Sequence, residues 1–146
     1  MSKVDNFLTP VEEAEIVDAI RAAEKETSGE IRVHIERKCP VSEPFERAKE
    51  VFHLLNMDAT DLKNGVLIYL AVDDHAFVVC GDKGIDDVVG HDFWNTTKDI
   101  MASHFKNHEF KLGLIAGIKM AGEQLEKYFP CAHDDRNELD NEISNG

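Results

Sequence analysis

Seven oxygen-bearing side chains fall in two polar stretches of this 146-residue chain: Asp58, Asp61 and Asn64 in the first, Asp82, Asp86, Asp87 and Asp92 in the second. Such a donor set suits a hard divalent cation, which takes about six to eight oxygens from carboxylates, amide side chains, main-chain carbonyls and water. Calcium comes first and magnesium second, and the carboxylates suffice for two ions. Zinc would call for Cys or several His. Gly81, Gly84 and Gly90 let the second stretch turn tightly enough to offer carbonyls as well. Taken singly, each Asp reads as a helix cap or a solvated turn. The chemistry therefore depends on whether the fold brings the two stretches together.

Two strands between the stretches do so. Val66 to Val72 is a nearly unbroken apolar run with β-branched residues, the pattern of a strand covered on both faces. Ala76 to Cys80 follows after Asp73-Asp74-His75, so the pair reads as an antiparallel hairpin. In a hairpin the end of the second strand returns to the start of the first. The acidic loop after Cys80 then crosses the loop that precedes Val66, and their carboxylates repel one another unless a cation lies between them.

Around the hairpin, Thr9-Pro10-Val11-Glu12 reads as a capping box opening a helix that ends near Thr27. Ile31 to Glu36 alternates apolar and polar residues, a strand nearer the sheet edge with one wet or charge-paired face. Pro44 opens a helix with Phe45, Ala48, Phe52 and Leu55 on one face. Strand, helix, strand in that order makes the Ile31 strand parallel to the Val66 strand and puts Glu30 at the acidic end. Asp92 is expected to cap a helix carrying Trp94, Met101 and Phe105, and a last helix runs from about Glu109 to Phe129.

Sixteen basic residues against twenty-nine acidic ones give a formal net charge of −13, which repels nucleic acid and anionic lipid and attracts cations. No stretch has the apolar length of a membrane span, and the N-terminus lacks a secretory apolar core, so a cytoplasmic protein is expected. Cys39, Cys80 and Cys131 are odd in number and widely spaced, which fits free thiols. Weaker constellations remain. Asp73-Asp74-His75 could hold a metal with Glu36, and His104 and His108 stand four apart on an expected helix. There is no Gly-x-Ser-x-Gly and no phosphate loop.

Gly29 to Val33, Asn64 to Leu70, Asp73-Asp74, Gly81 to Gly84 and Gly113 to Ile118 together resemble the TPM domain family, over roughly residues 7–130. The resemblance implies a three-layer α/β/α sandwich on a small mixed, four-strand-type sheet. The expected organisation is one domain over residues 1–130 and an acidic tail over residues 131–146. It also implies an alternative function, a metal-dependent acid phosphatase, alongside divalent-cation binding with a regulatory or protein-interaction role. Where members commonly carry Gly-Tyr-Gly-x-Glu-Gly, this chain has Gly81-Asp82-Lys83-Gly84-Ile85-Asp86, with the aromatic gone and carboxylates added.

Overall fold

A computed structural model describes residues 8–59, 63–89, 93–130 and 144–145. Helix α1 spans Pro10–Glu24 and starts as its sequence dictates. The Glu12 N–H donates to Thr9 Oγ1 at 3.1 Å, and the Thr9 N–H donates to Glu12 Oε1 at 3.0 Å. Ile16, Ile20 and Ala23 form its buried stripe. The helix ends three residues before the expected Thr27. Thr27 is buried and instead donates its hydroxyl to the Phe129 carbonyl, pairing with Pro130 as an isolated bridge.

Strand β1 is Glu30–Glu36, β2 is Gly65–Ala71 and β3 is Ala76–Gly81, forming an open mixed sheet in the order β3-β2-β1. A two-residue strand, β4 (Ser144–Asn145), runs parallel to β1 on its outer side. All seven residues of β2 are buried, as its apolar run requires of a central strand. β1 is parallel to β2, with Glu30 opposite Gly65, and β3 is antiparallel, with Gly81 opposite Val66. The hairpin turns through residues 72–75, where His75 takes φ 53, a left-handed conformation that His tolerates better than a β-branched residue.

Alternation along the strands produces two separate apolar clusters. Ile31, Val33, Ile35, Val66, Ile68 and Val79 pack with α1, with α4 (Asn95–Lys106) and with α5 (Phe110–Tyr128). Leu67, Tyr69, Val78 and Cys80 pack with α2 (Pro44–Leu54) through Ala48, Val51 and Phe52, and with Met57 of the 3-10 turn Met57–Ala59. A four-residue helix α3, Lys83–Asp86, occupies part of the second acidic stretch, which the sequence reads as loop throughout. Helix α4 begins at Asn95, with Trp94 rather than an aspartate in the cap position and no side-chain cap bond; Asp92 lies outside the described residues.

Candidate functional site at the acidic end of the sheet

The strand register brings the ends together as the hairpin argument requires. The Glu30 N–H donates to the Asn64 carbonyl at 3.4 Å, and the Asp82 N–H donates to the Gly65 carbonyl at 2.9 Å. The start of β1, the start of β2 and the end of β3 therefore share one end of the sheet. The expected ligands divide there. Asp82 and Asp86 both act on Cys80: burial pushes its thiol up to about 11, and the negative charges of Asp86 and Asp82 add to the shift. Asp82 Oδ1 caps α3 by accepting from the Lys83 N–H at 2.7 Å. Its Oδ2 is shut away from solvent with no hydrogen-bond partner among the described residues.

Asn64 is 1% exposed and turns to Ser28, donating Nδ2–H to its Oγ at 3.3 Å. Asp87 is exposed at the end of α3. Asp58 has its backbone in the 3-10 turn, and Asp61 and Asp92 lie outside the described residues. Among the described residues, no group of three or more His, Cys, Asp and Glu stands close enough to hold a metal.

A groove of about 480 Å³ opens beside Asp86, lined also by Phe45, Val79, Gly81, Val89, Trp94 and Lys98. Lys98 is a cation that the loop sequences do not reveal, since it arrives from α4 through tertiary packing. Also at this end, Glu24 and Glu30 form a carboxyl pair. Burial, with the neighbouring Glu30 adding to it, raises Glu24 to about 9 against the hydrogen bond that its Oε2 accepts from the Ile31 N–H at 2.8 Å. Glu24 therefore holds its proton well above the ordinary carboxylate range.

The opposite end of the sheet corrects the weaker expectations. Glu36 does not join Asp73-Asp74-His75. It is 5% exposed and bound by Arg47 through two hydrogen bonds of 2.9 Å, by Tyr69, which donates its hydroxyl, and by His34 at 3.3 Å. Burial alone would raise its carboxyl, but these bonds outweigh burial and hold it at about 2. His34 is stacked on Tyr69 with ring centroids 5.9 Å apart, and burial lowers its pKa despite Glu36. Asp74 instead accepts the Cys39 N–H at 2.6 Å, and Asp73 pairs with Arg37 at 3.8 Å. The signal for this cluster was present in the charged, alternating face of β1 and in Arg47, one helical turn before Val51 on the inner face of α2. His104 and His108 do not share a helix face, because α4 ends at Lys106 and His108 takes φ 59. His104 faces Glu109 Oε1 at 3.0 Å.

Among the described residues no helix is long and apolar enough to cross a membrane. No curated protein matches the chain. Among solved structures, it is similar to the BA42 protein of the psychrophilic bacterium Bizionia argentinensis, determined by NMR. The two are 57% identical with a TM-score of 0.92, and the match covers 100% of both chains. The N-terminal domain of a P. gingivalis protein shares the fold at 16% identity with a TM-score of 0.68, over 88% of this chain and 83% of that one. The family model described as TPM domain matches residues 2–124, and with that match over most of its length the chain belongs to the TPM domain family.

Proposed function

We propose that the acidic end of the sheet binds a divalent cation, calcium first and magnesium second, and that the ion orders the two acidic stretches against each other. The observation that supports this reading is Asp82 Oδ2, a carboxylate oxygen enclosed beside the field of Asp86 and without a donor among the described residues. Leaving such an oxygen unpaired costs about 1–3 kcal/mol or more, and a cation offsets that cost directly. Asp82 and Asp86 are the core of the site, with Asp58, Asp61, Asp87 and Asp92 as the further carboxylates and Asn64 contributing at most its main chain. The ion acts as a regulator of loop order, and the ordered loops present a surface to a protein partner.

In this reading the two apolar clusters are the two sides of a three-layer α/β/α sandwich, and the free thiols of Cys39 and Cys80 fit a reducing, cytoplasmic setting. The alternative is a metal-dependent acid phosphatase, and the groove shared by Asp86 and Lys98 favours it over other enzyme classes. A phosphate held by a metal on Asp86 would face the Lys98 ammonium, with the attacking water activated by the metal.

The test is a two-dimensional amide spectrum of chelator-stripped protein titrated with calcium and then magnesium. The cation reading expects saturable shifts confined to residues 56–65 and 81–92, abolished by Asp82→Asn. An unchanged spectrum up to millimolar calcium would eliminate it. Release of phosphate from p-nitrophenyl phosphate, dependent on metal and lost in Lys98→Ala, would move the assignment to the phosphatase.

A further inference from the structure

A second surface, on the side of the molecule formed by α1 and α5, has the form of a docking groove. The two helices run parallel. Lys111 Nζ pairs with Glu15 at 3.1 Å near their starts, a Cβ added at Gly122 would lie 2.7 Å from Ala23 Cβ farther along, and Thr27 meets Phe129 at their ends. A groove of about 280 Å³ lies between them, with an apolar floor of Ala19, Ala22, Ala23, Ile115 and Gly122. Nearer the helix starts two apolar side chains are exposed, Val11 at 68% on α1 and Leu112 at 45% on α5. From Val11 to Glu24, its last residue, α1 runs about 20 Å at ~1.5 Å per residue, room for roughly three to four turns of another helix alongside it.

The rim carries the information about the occupant. Among the described residues that line the groove, Glu26, Glu123 and Glu126 stand against Lys119. Glu126 lies in the last turn of α5, and Glu26 lies just beyond the C-cap of α1. The carboxyl ends of both helices already carry partial negative charge, so acidic side chains there are unfavourable until a cation faces them. A second copy of this chain, with its net charge of −13, meets repulsion at this rim, and so does an anionic lipid surface. We propose that the α1/α5 groove is the docking face for a basic amphipathic helix of a partner protein, its apolar stripe on Ala19, Ala22 and Ile115 and its Lys or Arg residues on Glu26, Glu123 and Glu126. The inference stands apart from the cation site, which lies on the acidic loops.

The experiment uses the full chain, isotope-labelled and held in chelator so that the loops take no part. The probe is an eighteen-residue peptide of Leu and Lys ordered to place Leu on one helical face, with the same residues in a non-amphipathic order as control. The expected result is saturable amide shifts confined to residues 11–26 and 112–126 for the amphipathic peptide alone. Glu123→Lys with Glu126→Lys, both exposed positions, is expected to weaken binding about tenfold, since two rim contacts are reversed. Ala22→Gln, which fills the floor at an exposed position, is expected to weaken it at unchanged charge. A melting curve matching that of the unaltered protein verifies the fold of each variant. Shifts scattered over the acidic surface, equal shifts with the control peptide, no shifts, or unaltered affinity in both variants would overturn the proposal. Concentration-dependent dimerisation that broadens the same residues without peptide would assign the groove to a second copy instead.

Discussion

Glu36 closes β1, Glu24 at the end of α1 accepts from the Ile31 N–H at the other end of that strand, and their surroundings drive the two carboxyls in opposite directions. Glu36 ionises well below an unfolded carboxylate because Arg47, Tyr69 and His34 donate to it. Its folded pKa is depressed to about 2, so its stabilisation is present above the unfolded value of 4.5 and is lost as pH falls from there toward 2. His34 acts in the same direction: burial lowers its pKa, the unfolded chain binds the proton more readily, and stability falls as pH drops below 6.5. Glu24 does the reverse. Its folded pKa of about 9 exceeds the unfolded 4.5, so the folded state binds more protons in that window and stability falls as pH rises through it. Urea unfolding at a series of pH values is therefore expected to show a maximum on the mildly acidic side of neutrality. Glu24→Gln keeps an acceptor for the Ile31 N–H and a donor for Glu30; it is expected to flatten the alkaline limb and add on the order of 1 kcal/mol at pH 8. Glu36→Ala leaves the Arg47 guanidinium without its partner and is expected to cost about 3 kcal/mol at pH 7 by the same measurement.

Helix α5 approaches its neighbours closely at its glycines. Gly117 and Gly122 of α5 both abut neighbours, but the neighbours differ in how far they can yield. A Cβ at Gly117 would lie 2.5 Å from Met101 Sδ, the far part of a flexible side chain on α4. At Gly122 it would lie 2.7 Å from Ala23 Cβ and 3.3 Å from Ala23 Cα, atoms fixed to the α1 backbone. Gly→Ala gains about 1 kcal/mol in helix propensity, while overpacking costs roughly 1–3 kcal/mol. Gly117→Ala is expected to come out near neutral in denaturant unfolding, because Met101 repacks. Gly122→Ala is expected to destabilise by about 1–2 kcal/mol, because two helix backbones must separate. A larger loss at Gly117 than at Gly122 would contradict this order.

Across the whole molecule, a charge of −13 makes self-repulsion a general cost that any salt reduces. A specific site must add to that. Calcium at matched ionic strength is expected to raise the melting temperature beyond the effect of sodium chloride, by a stabilisation of about 2.7 kcal/mol at a hundredfold excess over Kd. Asp82→Asn is expected to remove the difference while leaving the sodium chloride response in place. Equal melting curves in the two salts would leave only general screening.

Elements whose signals are local or periodic were legible along the chain. The Thr9 capping box, the buried run of β2, the short connection to β3 and the parallel placement of β1 all followed from spacing, because hydrogen-bonding geometry and burial act on neighbours along the chain. The meeting of Glu30, Asn64 and Asp82 at one end of the sheet was also legible, as a consequence of hairpin geometry. Which side chains face one another there follows from packing. It turned Asn64 to Ser28, gave Asp82 to α3 as a cap, delivered Lys98 from α4 and drew Glu36 inward to Arg47. Those outcomes depend on packing between segments distant in sequence, and an acidic residue carries no local mark of whether its partner will be water, an arginine or an ion.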